Sequence, residues 1–298
     1  MSEKTRFAVL EDRSVLSVSG RDRVSFLQGL VSNDIEKAGP GSAIYAALLT
    51  PQGKYLYDFF IVEAGEAGEA GEAGDALLLD CERAGLDGLK KRLSLYKLRA
   101  DVTFKDRSDE WAVAAVFGNG SIEAAIEGVA VFADPRLTQA GVRCILPKAE
   151  ARAILEKAGL TPANEADYDR LRLTLGLPDG SRDLIAEKST LLESGFDELN
   201  GVDWDKGCYM GQELTARTKY RGLVKKRLMP VTFDGPPPEP GTPVMLEGKE
   251  AGEVRSSQTT ADGGIGLALI RLDALEHSAD LKAGDVSVTP SKPDWADF

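Results

Sequence analysis

The sequence has 298 residues and a formal net charge of −12, and this length predicts about two domains. Hydrophobic residues make up 43% and charged residues 28% of it, a composition that is typical of globular proteins and excludes global disorder. So acidic a chain is a poor candidate for coating duplex nucleic acid, because that binding depends on neutralising phosphates. The sequence shows neither a run long enough for a membrane span nor the apolar segment of a secretory signal, and it therefore predicts a cytoplasmic protein.

Cysteine and histidine are too sparse for most metal and redox motifs. The cysteines Cys81, Cys144 and Cys208 form no C-x-x-C pair, which excludes a zinc or redox motif of that kind. The single histidine, His277, excludes a two-histidine metal site, and its polar neighbours predict a solvated loop residue. Cys81 and Cys144 adjoin strand-like apolar runs, so we expect them in the core. No metal site is predicted.

The first half of the chain predicts strands mixed with helices. Apolar and β-branched runs predict strands, and apolar residues at spacings i, i+3 and i+7 predict helices that use this face for the core. The strands are predicted at 15–18, 44–49, 55–62 and 76–79. The helices are predicted from 20 through Val31, around Leu86, Leu89 and Leu93, and over 165–175, where Gly176 and Pro178 end the last one.

Two further segments define the organisation. Residues 63–74 are four copies of Glu-Ala-Gly, and we interpret 63–75 as an expanded hairpin loop, since a three-residue period suits neither helix nor strand. Near the end, short strands at 228–233, 243–246, 252–254, 265–270 and 286–288 alternate with turn residues and predict a small β-barrel or sandwich. We therefore predict an α+β region over 1–222, made of two lobes, and a β-barrel domain over 223–298.

The segment 205–217 concentrates reactive and charged residues. It holds a thiol, two glycines, an amide, two carboxylates and two cations, and from Lys206 to Arg227 seven cations stand against one anion. We call residues 206–227 the basic island. Such a positive segment on an acidic chain indicates an anionic ligand or partner, although a solvated basic helix face explains the charge equally well. Cys208 lies two residues from Lys206, and a neighbouring cation favours the thiolate; the alternative is a small buried apolar residue.

These residues resemble a known family. Lys206-Gly207-Cys208-Tyr209-Met210-Gly211-Gln212-Glu213 is similar to the K-G-C-Y-x-G-Q-E signature of the YgfZ-type folate-binding proteins, which are relatives of the glycine-cleavage T-protein, the aminomethyltransferase. Segments 26–35, 50–58, 170–178, 252–257 and 266–271 are similar to other family motifs, so the resemblance covers nearly the whole chain except the Glu-Ala-Gly insert. It implies an α+β fold: a T-protein-like folate-binding platform of intertwined lobes, followed by a small C-terminal β-barrel.

The resemblance also implies a site for tetrahydrofolate or a one-carbon-substituted folate. Asp58 corresponds to a T-protein aspartate near the reactive nitrogen, and Tyr57 replaces the other member of an aspartate pair. Glu193 corresponds to the glutamate that binds the pterin amino groups, because a carboxylate accepts paired hydrogen bonds. Arg217 and Arg221 suit the folate carboxylates. The signature adds Lys206, Tyr209, Gln212 and Glu213 as cofactor-binding residues and Cys208 as the reactive thiol.

Three functions follow as hypotheses. The first is a folate-binding, monomeric accessory factor for iron–sulfur protein assembly or repair, with client or assembly proteins as partners and indirect effects on tRNA modification. The second is a T-protein-like aminomethyltransferase or another folate-dependent one-carbon transferase, a reaction that the loss of the aspartate pair at Tyr57 disfavours. The third is direct RNA binding through the basic residues of 219–227, against which the acidic remainder of the chain argues.

Overall fold

The structure, a computed structural model, describes residues 5–64, 76–118 and 129–298, except for the side chains of 277–279. Most of the Glu-Ala-Gly segment that we interpret as a loop, and the side chain of His277, lie outside the described residues. By its internal contacts the chain divides into two compact units. Unit 1 comprises Met1–Leu49, Tyr57–Tyr168 and Asn200–Met210, and unit 2 comprises Thr50–Leu56, Asp169–Leu199 and Gly211–Phe298.

The strands that precede residue 163 form two sheets. They are β1 (Arg6–Val9), β2 (Arg13–Ser19), β3 (Ile44–Leu49), β4 (Tyr55–Glu63), β5 (Leu77–Glu82), β6 (Thr103–Asp106), β7 (Trp111–Phe117), β8 (Ala130–Ala133), β9 (Val142–Pro147) and β10 (Thr161–Pro162). One sheet has the order β3-β4-β5-β2-β6 and the other β10-β1-β7-β9-β8. Every residue of β3 and β7 is buried, which explains why both strands have a continuous apolar sequence.

A buried ionic cluster connects the two sheets within unit 1. The carboxylate of Asp80 on β5 accepts hydrogen bonds from Nε of Arg13 on β2 at 2.7 Å and from Nε of Arg143 on β9 at 2.8 Å. The guanidinium of Arg143 also lies 4.3 Å from the ring centroid of Phe60. Removing one partner of such a buried set typically costs about 3–5 kcal/mol, because a charge is left unpaired.

The C-terminal strands of unit 2 close into a barrel. They are β11 (Lys226–Phe233), β12 (Pro243–Leu246), β13 (Lys249–Thr260), β14 (Gly263–Arg271), β15 (Lys282–Ala283) and β16 (Val286–Pro290), in the closed order β11-β14-β13-β12-β15-β16. Met229, Val254 and Ile270 contribute to its apolar core. Gly266 is required where β13 and β14 approach, since a Cβ there would lie 2.4 Å from the carbonyl oxygen of Ser256.

The helices are short and follow the apolar spacing. They are α1 (Arg23–Gln28), α2 (Leu86–Lys97), α3 (Ala151–Lys157), α4 (Glu165–Leu175), α5 (Gly180–Asp183) and α6 (Gln212–Tyr220). On α2, Leu86, Leu89 and Leu93 are all buried. Of the helices in the described ranges, none combines the length and the apolar character of a membrane span.

The structure confirms most predicted elements and corrects one. The strands of the first half, the helix over 165–175 and the C-terminal barrel are confirmed, as is the α+β fold class. The first helix is shorter than predicted: α1 ends at Gln28, before Gly29, and Val31 forms an isolated bridge with Leu48. Val31 is nevertheless buried in the same apolar cluster as Leu27. Its apolar spacing therefore indicates burial and not the length of the helix. The division into domains 1–222 and 223–298 stays a prediction.

Candidate functional site

The signature segment divides between the two units. Residues 206–210 belong to unit 1 and form a loop, whereas Gly211 and the residues after it belong to unit 2 and begin α6. Gly211 precedes the helix at a φ of +84°, a left-handed conformation that favours glycine. The turn that carries Gly53 packs on this helix start, because a Cβ on Gly53 would lie 2.6 Å from Cβ of Leu214. Two of the segments that carry the resemblance therefore meet within unit 2.

In the unit 1 loop the thiol is accessible and the lysine is not. Cys208 is a free, exposed cysteine, whereas Lys206 is buried. Nζ of Lys206 donates hydrogen bonds to the carbonyl oxygens of Val31 at 2.8 Å and Asn33 at 2.6 Å, and it lies 5.3 Å from the ring centroid of Tyr209. Burial lowers the pKa of Lys206 to about 8, although Asp34 and Asp203 act to raise it. The ammonium group thus holds the loop to the backbone of another segment.

Asp203 fixes the start of the same loop. One carboxylate oxygen of Asp203 accepts hydrogen bonds from the backbone N–H groups of Asp205 at 2.8 Å and Lys206 at 2.9 Å, and the other accepts from Nζ of Lys37. Burial acts to raise the pKa of Asp203, but the hydrogen bonds from Lys37, Asp205 and Lys206 outweigh it and hold this pKa below its usual value. An ionised, hydrogen-bonded aspartate at this position gives the loop a defined conformation.

Residues 26–35, a second segment of the resemblance, bind the backbone just before the loop. Oγ of Ser32 donates to the carbonyl of Gly201 at 2.6 Å, and Nδ2 of Asn33 donates to the carbonyl of Asn200 at 2.7 Å. The backbone N–H of Met210 donates to the carbonyl of Gly29 at 3.1 Å. Hydrogen bonds therefore fix the segment around Cys208 on both sides of the cysteine, while its thiol stays exposed.

The predicted cofactor carboxylate Asp58 lies on β4 and is buried. Its Oδ2 accepts a hydrogen bond of 2.9 Å from the hydroxyl of Tyr45 on β3. Burial raises the pKa of Tyr45 well above its ordinary value, and the nearby Asp58 raises it further, so Tyr45 remains a hydrogen-bond donor at neutral pH. The guanidinium of Arg136 lies 5.3 Å from the Tyr45 ring centroid. Asp58 is thus a positioned carboxylate within unit 1.

Tyr57 lies on the opposite face of β4 from Asp58, since successive side chains of a strand alternate. It packs against α2, where a Cβ on Gly88 would lie 2.3 Å from the Tyr57 hydroxyl. Position 57 therefore serves the apolar core of unit 1.

Glu193, the predicted pterin-binding carboxylate, lies in unit 2 on the short 3-10 helix Leu192–Ser194. It is half-buried, and its Oε2 accepts a hydrogen bond of 2.8 Å from Oγ1 of Thr190. Glu193 lines a cavity of about 290 Å³ within unit 2. One carboxylate oxygen is thus held in place by Thr190, and the side chain borders this cavity.

The remaining predicted residues lie on or after α6 in unit 2, and acidic neighbours neutralise part of the basic island. Arg217 forms an ion pair with Glu213 at 2.5 Å, and Gln212 is half-buried at the helix start. Arg221 is exposed and has no ion pair with any residue of the described ranges. Lys219 lies 3.5 Å from Asp197, and Arg227 pairs with Glu198. Asp197 and Glu198 precede this segment in sequence, so the fold supplies part of the neutralising charge.

The other two cysteines confirm the prediction of core residues. Cys81 and Cys144 are buried, and burial raises the pKa of each thiol to about 12. Within residues 5–64, 76–118 and 129–298, no group of three or more histidine, cysteine, aspartate or glutamate side chains lies close enough to hold a metal ion. Of the three cysteines, Cys208 is the one whose thiol is accessible, because the other two are buried.

Sequence reasoning missed the residues that position the predicted ones. Tyr45, Asp203 and Asn33 each hold a predicted residue or its loop in place. The Asp203 turn had a local signal, because aspartate often bonds to the backbone two or three residues ahead. The Tyr45 contact had none, since it depends on two strands lying side by side in the sheet.

Comparison with known proteins identifies the family. The mouse iron–sulfur cluster assembly factor IBA57, mitochondrial, is 34% identical over 310 residues, which cover 96% of this chain and 84% of the mouse protein. The human protein of the same name is 33% identical over 309 residues, with the same coverage. The chain belongs to the IBA57 family of iron–sulfur cluster assembly factors. The family model of the CAF17 C-terminal β-barrel domain also matches residues 225–298.

The fold of this IBA57 family member is that of the T-protein. The crystal structure of the glycine cleavage system aminomethyltransferase T from Bartonella henselae covers 99% of this chain and 87% of its own, with a TM-score of 0.73 at 14% identity. At this identity the likeness concerns the fold alone. The predicted T-protein-like fold with a C-terminal barrel is thereby confirmed, and the finer assignment to YgfZ-type folate-binding proteins stays a prediction.

The family membership contradicts one prediction. A cytoplasmic location is wrong by this comparison, because the mouse and human relatives are mitochondrial proteins by name. The prediction relied on the lack of an apolar secretory segment, which says nothing about mitochondria, since mitochondrial transit peptides are amphipathic and rich in arginine.

Proposed function

We propose that this chain assists the assembly or repair of iron–sulfur proteins by presenting the thiol of Cys208 to a partner protein. The observation that supports this most is the contrast within one loop: Cys208 is exposed, while Lys206 and Asp203 bind the loop on the N-terminal side of the cysteine. A thiol held on a fixed loop and open to solvent suits a contact with a second protein better than a role in packing.

The supply of ligands limits the role to an accessory one. An ordinary iron–sulfur cluster needs four ligands, mostly cysteine thiolates, and the described part of the chain contains no metal-binding group of three or more candidate residues. Cys208 could therefore provide one ligand or one nucleophile, and the others would come from an assembly or client protein. On this proposal the cluster is cargo that the partner carries.

We propose tetrahydrofolate, or a one-carbon-substituted form of it, as the bound cofactor, which would supply a carrier for one-carbon units. The residues of the chain fit this group in part. Glu193 borders a cavity and keeps one carboxylate oxygen free of hydrogen bonds within the described residues, which suits the donor edge of an aminopyrimidine. The assignment of Asp58, which accepts a hydrogen bond from Tyr45 within unit 1, rests on the resemblance alone. Arg217 fits less well, since Glu213 already occupies it.

Effects on tRNA modification would be indirect on this proposal. In cells that lack the protein, the iron–sulfur enzymes that thiolate tRNA would lose activity, and tRNA modification would fall as a consequence. Direct RNA contact has little support, because ion pairs with Asp197, Glu198 and Glu213 neutralise part of the basic island, and phosphate binding needs free cations.

A second candidate is aminomethyl transfer of the T-protein kind. The shared fold supports it, and so does the position of Tyr57, which faces α2 and leaves Asp58 as the relevant carboxylate. The test is turnover of glycine in a reconstituted cleavage system with a lipoyl carrier protein. Turnover that depends on Asp58 would favour this candidate over the accessory role.

The main test is complementation of cells that lack the protein. Cys208→Ser should fold as the wild type does and bind tetrahydrofolate equally well, yet fail to restore the activity of iron–sulfur enzymes, because a hydroxyl does not form an anion at neutral pH. Asp205→Asn is the matched control, since Asp205 is an exposed residue of the same loop. Full restoration by Cys208→Ser would refute the proposed role of the thiol.

A further inference from the structure

The C-terminal end of α2, in unit 1, exposes two leucines. Leu95 is 63% exposed and Leu98 is 90% exposed, whereas the core face of the helix buries Leu86, Leu89 and Leu93. The two exposed leucines lie about one helical turn apart in sequence. Single exposed apolar residues are ordinary at protein surfaces, so the backbone conformation and the charges around these two leucines decide what they do.

Leu98 has a backbone conformation that is unfavourable for leucine. It follows the last residue of α2 at a φ of +43°, in a region that a Cβ disfavours and that glycine commonly takes at helix ends. Four non-glycine residues of the described ranges have a positive φ, and Leu98 is the only apolar one among them. Burial of the side chain does not offset this strain, because the side chain is exposed. Strain of this kind is typical of positions with a function.

The backbone on both sides of Leu98 is held in place. Tyr96 and Ala100 pack against the apolar cluster of unit 1. The backbone N–H of Asp101 donates a hydrogen bond of 2.8 Å to the carboxylate of Asp22, in the turn before α1. Leu98 is therefore presented on a fixed segment and not on a frayed helix end, and a fixed side chain loses less conformational entropy when it binds a partner.

The residues around the two leucines are basic. Over residues 86–99 five cations stand against one anion, in a chain whose net charge is −12. Lys91 shares a helix face with Leu95, four positions later. Lys91 and Arg99 are both exposed, and neither forms an ion pair with a residue whose position the structure describes. The helix dipole explains a cation at Lys97, in the last turn, but not one at Lys91 in the middle of the helix.

We propose that the end of α2 docks an acidic amphipathic helix of a partner protein through four residues, Lys91, Leu95, Leu98 and Arg99. We call these four residues the α2 surface. Apolar side chains of the partner helix would contact the two leucines, and its carboxylates would pair with the two cations. A nucleic acid would gain little from the leucines, and the acidic remainder of the chain would repel an anionic membrane. The proposal does not depend on Cys208 or on folate, because the α2 surface contains no residue assigned to either.

The test uses the full chain and a designed peptide. The probe is a fluorescein-labelled peptide of three copies of Leu-Glu-Glu-Leu-Leu-Glu-Glu, which places leucines on one helix face and glutamates on the other. Fluorescence anisotropy should show saturable binding that weakens as salt increases. Two control peptides, one with lysine at each glutamate position and one with serine at each leucine position, should each bind at least about tenfold more weakly.

Variants of the α2 surface locate the peptide. Leu98→Gly, Leu95→Ser and Arg99→Glu should each weaken its binding at least about tenfold. Leu98→Gly is the sharpest of these variants, because glycine accepts a positive φ and the thermal midpoint should therefore stay unchanged or rise. Lys157→Glu on α3 is the matched control for charge, since Lys157 is an exposed lysine of unit 1 outside the α2 surface.

Several results would overturn the proposal. Leu223 is 48% exposed within the basic island, which also offers cations to an acidic peptide. A loss of binding in Leu223→Ser with Leu98→Gly unchanged would place the peptide on the basic island. Equal binding of the lysine peptide would contradict the role of charge. Sedimentation with vesicles of phosphatidylcholine and phosphatidylserine in equal parts, dependent on Leu98 and without peptide binding, would identify a lipid-binding surface instead.

Complementation separates the α2 surface from the thiol. In cells that lack the protein, Leu98→Gly should restore less iron–sulfur enzyme activity than the wild type, although its fold is at least as stable. Cys208→Ser should bind the peptide as the wild type does, so failure of the role proposed for the thiol leaves peptide binding intact. Full restoration of activity by both Leu98→Gly and Leu95→Ser would show that no partner needed in these cells docks on the α2 surface.

Discussion

The residues that the resemblance singles out fall into two groups that differ in how the fold uses them. In unit 1, Asp58, Lys206 and Tyr209 are buried, and the first two hold hydrogen bonds within that unit. On α6 in unit 2, Glu213 and Arg217 are 84% and 51% exposed and bind each other. A single sequence signature thus contains residues that fix a loop and residues that remain at the surface. The exposed Cys208 stands among the buried group.

The largest expected effect concerns the thiols. Cys208 should react with iodoacetamide at pH 8 at least about a hundredfold faster than Cys81 or Cys144. Burial raises the pKa of the latter two to about 12, so only about one molecule in ten thousand carries either thiolate at pH 8. Mass spectrometry of labelled peptides over time measures the three rates. Similar rates for all three would mean that Cys208 is as protected as the core cysteines.

Lys206 should be the residue of the signature that matters most for stability. Lys206→Met removes two charge-assisted hydrogen bonds and leaves the carbonyls of Val31 and Asn33 without this donor, so it should lower the free energy of unfolding by about 2–4 kcal/mol. Urea denaturation measures the change. Lys37→Met is the matched control, because Lys37 binds the same loop through Asp203 but is 61% exposed, and an exposed ion pair contributes little.

The stability that Lys206 confers should also depend on pH. Its pKa of about 8 in the folded protein lies below the ordinary lysine value of 10.5, so between these values the unfolded chain binds more protons than the folded one. The free energy of unfolding then rises with pH in this range. The difference between wild type and Lys206→Met should therefore grow from pH 7 to pH 9. A constant difference would show that the lysine keeps its proton throughout.

Glu193 lies between the two groups in exposure, and its expected effect is intermediate. Glu193→Gln should weaken tetrahydrofolate binding about thirtyfold, the loss of roughly 2 kcal/mol that accompanies removal of a charge-assisted pair. Isothermal titration calorimetry measures the affinity. Glu239→Gln serves as the control, because Glu239 is an exposed glutamate of unit 2 that the resemblance does not assign to the cofactor. Unchanged affinity in Glu193→Gln would show that the correspondence to the T-protein glutamate does not hold here.

Local patterns were sufficient to predict much of the fold. Tyr55 to Val62 and Pro243 to Leu246 combine strand-forming residues with clear turn signals, and α4 has both its apolar spacing and its Gly176 stop. The strands around Trp111 and Val142 were not predicted as elements. Their short, mainly apolar runs do not distinguish a buried strand from a buried helix by periodicity, and tertiary contacts with β1 and β8 decide between them.

The candidate site was predictable in its residue types but not in its geometry. The neighbours of Cys208 in sequence suggested that Lys206 acts on the thiol, whereas the structure directs the ammonium to Val31 and Asn33, far away in sequence. The residues that line the cavity beside Glu193 come from the segment 183–194 and from strands β11, β13 and β14, which are far apart in sequence. Such contacts depend on topology, which a local motif does not encode.

The smallest expected effect belongs to the exposed group. Arg217→Ala removes one i, i+4 ion pair on α6, a contact that typically contributes about 0.3–0.5 kcal/mol and weakens as salt increases. Its thermal midpoint should thus lie within about 2 °C of the wild type for a chain of this size. If the same variant weakens tetrahydrofolate binding by more than about tenfold, Arg217 must leave Glu213 to bind the ligand, as the resemblance implies. Unchanged affinity together with unchanged stability would identify Arg217 as a surface residue without a part in binding. A large loss of stability would contradict both readings, because an exposed pair does not support a fold.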